Sequence, residues 1–191
     1  MIIKGREMAN FKRSYEILKR LEFSDESNAL HKNENENGLT WMGIYEAKNP
    51  TWANWGEIKR TARAFGDLKS ASVALFKDPI LQADTAKFYK MKYWDKMLGD
   101  EIISQKIADE IFIFGVNVGI ARAIKEAQKI VGANSDGVFG EQTLRAINSY
   151  DESKFDKEFD EIEIRYYEEL IKANPSFRVY ARGWKSRAVA V

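Results

Sequence analysis

Cysteine is absent from the 191 residues, histidine occurs once and proline three times. The missing thiols exclude thiol catalysis, disulfides and cysteine-ligated zinc. One imidazole, at His31, cannot supply a multi-histidine metal site, and a serine triad needs a histidine to spare. No run of 18 apolar residues occurs, so no membrane insertion is expected. Charge of one sign is lacking too: 30 Lys+Arg face 29 Asp+Glu, a formal +1. That balance argues against a whole-molecule field gathering nucleic acid or an anionic membrane. Residues Met1 to Met8 hold no apolar stretch of signal-peptide length, so cytoplasmic synthesis without an ordinary secretory signal is the expectation.

What is present is a folding composition, 45% hydrophobic and 31% charged. A chain of this size buries roughly 70% of its unfolded surface and needs no staples. With thiols gone and one imidazole left, carboxylates are the most available acid/base groups. The pattern predicts a mainly α protein with a small β arm. Helical spacing of Phe11, Tyr15, Leu18 and Glu22 predicts a first helix over about residues 9–23. Residues 24–37 lack an apolar period and read as a long loop. Gly38 to Tyr45, with glycine punctuation and β-prone residues, reads as a strand or hairpin arm. Asp67 and Asp78-Pro79 open further helices, the second with an acid cap and proline at the first helical position. Asp100 is expected to cap a helix whose segment Ile111 to Val116 is apolar all round, and helices follow from Ile120 and from Glu141. One domain spanning 1–191 is expected, with a lobe over 9–115 carrying the arm near 38–46 and a helical lobe over 116–191. A monomer is the expectation.

The acid at the end of the first helix is Glu22, beside apolar Leu21 and Phe23. Burial and the negative end of the helix dipole would both raise its pKa, as a general acid requires; a solvated helix-end glutamate is the plain alternative. Trp41, Tyr45, Trp52 and Trp55 are flat faces able either to stack on sugar rings or to pack a core. Asn117 is polar within an apolar helical run, so it either binds a ligand amide or bonds the backbone. His31 near Glu34 and Glu36 reads as a solvated loop, and neither a metal nor a cofactor is expected. Residues 151–163 carry seven acids against two lysines, and residues 176–191 carry four bases and no acid. A solvated helix face followed by a basic tail is the simplest reading, with the tail gripping an anionic polymer as the other.

Six segments stand in one order: Leu21-Glu22-Phe23-Ser24, Gly38-Leu39-Thr40-Trp41-Met42-Gly43-Ile44, Tyr93-Trp94-Asp95, Phe114-Gly115-Val116-Asn117-Val118-Gly119, Asp136-Gly137-Val138-Phe139-Gly140-Glu141-Gln142-Thr143-Leu144, and Arg182-Gly183-Trp184-Lys185-Ser186-Arg187. In this order they resemble the lysozyme-like N-acetylmuramidase and secretion-activator family, glycoside hydrolase family 108, with a peptidoglycan-binding-like C-terminal half. The resemblance implies a two-lobed lysozyme-like fold. It implies cleavage of the β-1,4 bond between N-acetylmuramic acid and N-acetylglucosamine, with Glu22 as the acid. Thr40 would orient water or a supporting carboxylate, and Trp41, Tyr45 and Asn117 would bind substrate. The partner implied is the peptidoglycan glycan strand, met at the periplasmic wall. Phe23 and Ser24 stand where the family has two glycines, so the turn after Glu22 must differ. Glu34 and Glu36 lie where its Asp-Pro-Gly-Gly stretch would be, which leaves the second carboxylate open: one of them, or neither. Two other readings stay open: a module that binds peptidoglycan without cutting it, and a structural part of a phage or secretion apparatus.

Overall fold

The computed structural model describes residues 7–23, 25–33 and 37–180. Ser24, Glu34, Glu36 and the Arg182–Arg187 segment singled out above lie outside the described residues. Among the described residues are eight α-helices and one three-stranded sheet, which makes the protein mainly α with a small β arm. In chain order these are α1 (Phe11–Glu22), β1 (Leu30–His31), β2 (Thr40–Trp41), β3 (Ile44–Tyr45), α2 (Trp55–Phe65), α3 (Leu68–Phe76), α4 (Pro79–Tyr89), α5 (Gln105–Val118), α6 (Ile120–Ile130), α7 (Glu141–Ser149) and α8 (Glu152–Ala173). Two compact units result, one of residues Leu18–Tyr89 and one of the described residues before Leu18 together with those from Lys90 onward. Helix α1 contributes to both.

The Leu18–Tyr89 unit holds the arm. Antiparallel pairing sets Leu30 opposite Trp41 and Thr40 opposite Tyr45. The β2–β3 turn consists of Met42 and Gly43, both at positive φ (42° and 77°), the signs of a type I′ hairpin turn. A non-glycine residue resists that conformation, but Met42 is held on several sides. Its N–H donates to the Ala29 carbonyl and its carbonyl accepts from the Tyr89 hydroxyl. Its side chain is fully buried, with Sδ 3.6 Å from Gln82 Nε2. Leu18, Leu30, Trp41, Ile44, Ile58, Ala71, Leu75 and Leu81 complete the core.

Residues 25–31 are ordered rather than a plain loop. Asp25 caps a short 3-10 turn, Glu26–Asn28, and strand β1 follows. Ser72, buried on α3, donates to the Glu26 carbonyl and accepts from the Leu30 N–H at 2.9 Å. Helix α2 was not evident from the sequence, because it buries only Trp55 and Ile58 and is otherwise polar; Gly66 ends it at φ 75°. Asp67 and Asp78 cap α3 and α4 as expected, each accepting backbone N–H bonds.

The other unit is built around α5, buried continuously from Ile107 to Gly115. Phe114 meets Phe159, Tyr166 and Tyr167 of α8 edge-on. Helix α5 starts at Gln105 with Ser104 as its cap, not at Asp100. Asp100 is occupied elsewhere: it accepts from the Trp94 indole and from Lys90, both at 2.7 Å. The chain between runs extended at Ile102, whose carbonyl accepts from the Ala9 N–H.

Candidate functional site

Glu22 is the last residue of α1, where the final helical carbonyls lack intrahelical donors. It is half-buried, and its Oε1 atom is enclosed. Phe23 closes the helix by donating to the Lys19 carbonyl at 2.9 Å. The Phe23 ring then packs within the unit, 6.1 Å from the Tyr89 ring. It also lies beside the arm's turn: a Cβ added to Gly43 would come within 3.4 Å of Phe23 and 2.8 Å of the Tyr89 hydroxyl. The residue after the candidate acid is therefore a packing contact with the arm. That is the physical meaning of a phenylalanine where the resembled family has glycine.

On the arm itself the expected residues divide. Thr40 is 6% exposed and sits between His31 and Tyr45 in the sheet. Trp41 is fully buried, and its indole N–H donates to Thr85 at 2.9 Å. It offers no ring face to a sugar, so the stacking role expected of it is corrected to core packing. Trp55 is also buried, its N–H donating to the Asn49 carbonyl at 2.8 Å. Tyr45 and Trp52 remain half-buried. Tyr45 donates its hydroxyl to the Asn37 carbonyl at 3.3 Å, and Trp52 meets Trp55 and Phe88 edge-on. Thr40, Trp41 and Tyr45 thus share the arm, in the same unit as Glu22. Asn117 belongs to the other unit and is exposed in the last turn of α5, not buried as a polar residue in an apolar run was expected to be.

The arm carries a carboxylate that sequence reasoning passed over. Glu46 pairs with Lys59 and accepts the Leu39 N–H at 3.1 Å. Hydrogen bonding to Lys59, helped by the Leu39 N–H and the lysine charge, holds its carboxyl below the usual glutamate range despite partial burial. Glu46 is thus a locked anion, unsuited to donating a proton near neutral pH. The spacing from Gly38 to Glu46 across a hairpin is the signal that marks it: a Cβ on Gly38 would lie 3.1 Å from Glu46. His31 Nδ1 lies 2.9 Å from the Asn28 carbonyl oxygen, a local turn contact.

The Asp136–Leu144 segment is organised from below by Gln128, which is 1% exposed on α6. Its amide donates to Asp136, the Val138 carbonyl and Thr143, and its carbonyl accepts the Gly137 N–H at 2.9 Å. Gly137 has φ 81°, and a Cβ there would lie 2.9 Å from the Ala121 carbonyl. The motif's glycine and its buried glutamine are therefore structural, leaving Val138, 69% exposed, at the tip. Gln128→Leu is expected to cost about 2–3 kcal/mol, because it strands buried partners. Hydrogen exchange at the Gly137 amide reads this directly, and unchanged protection would contradict it.

The family model described as glycosyl hydrolase 108 matches residues 23–119, and the model described as a predicted peptidoglycan domain matches residues 122–189. The first match begins one residue after Glu22. A solved structure titled as that of Brucella abortus SagA superposes with a TM-score of 0.63 at 24% identity, covering 93% of this chain and 88% of that one. The chain thus shares that protein's overall fold, mainly α and lysozyme-like. Comparison with curated proteins gave no match.

Proposed function

Because the chain belongs to the glycosyl hydrolase 108 family and carries a peptidoglycan-type segment after it, we propose that this peptidoglycan-related glycoside hydrolase is an N-acetylmuramidase with Glu22 as its general acid. The observation that carries the residue assignment is local. Glu22 ends α1 with one carboxylate oxygen enclosed, and the next residue is packed against the arm's turn. A carboxyl fixed this way on a helix end is a positioned proton donor rather than a mobile surface acid.

In the reaction, the Glu22 carboxyl gives its proton to the oxygen of the β-1,4 bond between N-acetylmuramic acid and N-acetylglucosamine. The C–O bond breaks through an oxocarbenium-like state, and water supplies the new hydroxyl. Thr40, enclosed on β2, serves to orient water or a supporting carboxylate. Tyr45 and Trp52, with rings partly open, are the stacking faces of this reading. The site of action is the cell wall.

Purified peptidoglycan sacculi incubated with the full chain are expected to lose turbidity and release reducing ends. A chain that sediments with sacculi but liberates no reducing ends is instead a binding module. The match that begins only after Glu22 is the observation behind that second reading.

A further inference from the structure

Away from the arm, α5 and α8 enclose a group of acids that the reaction above does not use. Glu110 on α5 is 1% exposed, and its Oε1 atom has no hydrogen-bond partner. Helix α8 presents Asp156 and Asp160 one turn apart. Carboxylate oxygens of Glu110, Asp156 and Asp160 all lie within 4.8 Å of one another. Asp160 Oδ1 is likewise buried with no partner. Glu163, 3% exposed, adds its negative field at Glu110. Lys106 stands beside them, its ammonium 3.0 Å from Asp156.

Glu110, Asp156 and Asp160 gather three carboxylates beside one ammonium in a part-buried space, where negative charge is costly. Something positive must be added: a proton or a cation. A proton relieves one repulsion only and leaves Oε1 of Glu110 and Oδ1 of Asp160 without donors. A cation placed among the three acids satisfies both oxygens together.

We propose that Glu110, Asp156 and Asp160 form a binding site for a hard divalent cation of calcium size. The donors are oxygen only, which selects calcium or magnesium over softer metals. Two oxygens across a calcium ion stand at most about 4.8 Å apart, twice a bond of roughly 2.4 Å, and the three carboxylate oxygens lie within that distance of one another. Magnesium requires a tighter octahedron with bonds of about 2.1 Å. Lys106 is 38% exposed, so a cation at Asp156 would turn its ammonium toward solvent. Asp156, 27% exposed, supplies the route in and the side where water completes the shell. The cation would tie α5, the centre of its unit, to α8. The proposal does not depend on what the arm does.

The test uses the full chain, stripped with a chelator and dialysed against calcium chloride or magnesium chloride at neutral pH. One calcium ion per chain should bind, with a saturable rise in Tm. Glu110→Gln should weaken binding at least tenfold. Asp156→Asn, at a half-buried position, should do the same where the buried variant folds poorly. Calcium failing to bind the wild type, affinity unchanged in both variants, or magnesium binding more tightly than calcium would overturn the proposal.

Discussion

Glu22→Gln is expected to lower the rate of glycan cleavage by about 10²–10⁴-fold, the range that a positioned general acid contributes. The substitution keeps the shape and the hydrogen-bonding capacity of the side chain but removes the transferable proton. Because Glu22 is half-buried at the end of α1 and Phe23 supplies the packing against the arm, the fold should survive the change. Thermal unfolding within a few degrees of the wild type, together with lost cleavage, is the expected pair of results. Replacing Glu46 is the informative contrast. Glu46 is held ionised by Lys59 and by the Leu39 N–H, so Glu46→Gln should loosen the arm without removing the proton that cleavage requires.

The second large effect is on stability. Gly99→Ala is expected to cost about 3 kcal/mol, a fall of roughly 6–12 °C in Tm for a chain of this size. The added Cβ would lie 2.3 Å from Trp94 Cε2 and 2.4 Å from Cδ2, far inside van der Waals contact. Trp94 has nowhere to go. It is fully buried, its indole N–H is bonded to Asp100 at 2.7 Å, and Phe11 and Phe112 meet its ring edge-on at 5.7 and 5.8 Å. Urea denaturation measures the loss, and a cost below about 1 kcal/mol would mean that the 94–99 turn relaxes freely.

The helices were legible where a cap met a periodic run. Asp67, Asp78-Pro79 and the unbroken apolar stretch of α5 each mark an element that the structure contains. The misreadings share a cause, since each depends on a partner remote in sequence. Residues 25–31 lack any local pattern, yet Ser72, more than 40 positions away, fixes them. Trp41 looks like a ligand platform until its indole is found bonded to Thr85 inside the core. The acids of residues 151–163 read as a solvated face, but Glu163 is buried, and Asp156 and Asp160 meet Glu110 across two helices. No periodicity within α8 alone could reveal that meeting. Glu22 was legible for the opposite reason, because its position at a helix end is a local property. The packing of the next residue, Phe23, beside the arm's turn at Gly43 is not local and was not legible.

The near-zero net charge now has a more specific content. Acids and bases are not spread evenly: a part-buried carboxylate cluster lies in one unit, while Glu46 and Lys59 neutralise each other in the other. A chain with +1 overall has little long-range attraction for an anionic wall, so its contacts with glycan must be short-range ones.

On the proposed function, this chain cuts glycan strands at N-acetylmuramic acid with the proton of Glu22. One digest tests it most directly: wild type and Glu22→Gln side by side on purified sacculi, with borohydride reduction of the products and mass analysis of the reduced ends. Reduced N-acetylmuramic acid ends are expected from the wild type and almost none from the variant, with both chains sedimenting equally with sacculi. Reduced N-acetylglucosamine ends, or equal cleavage by the two chains, would contradict it.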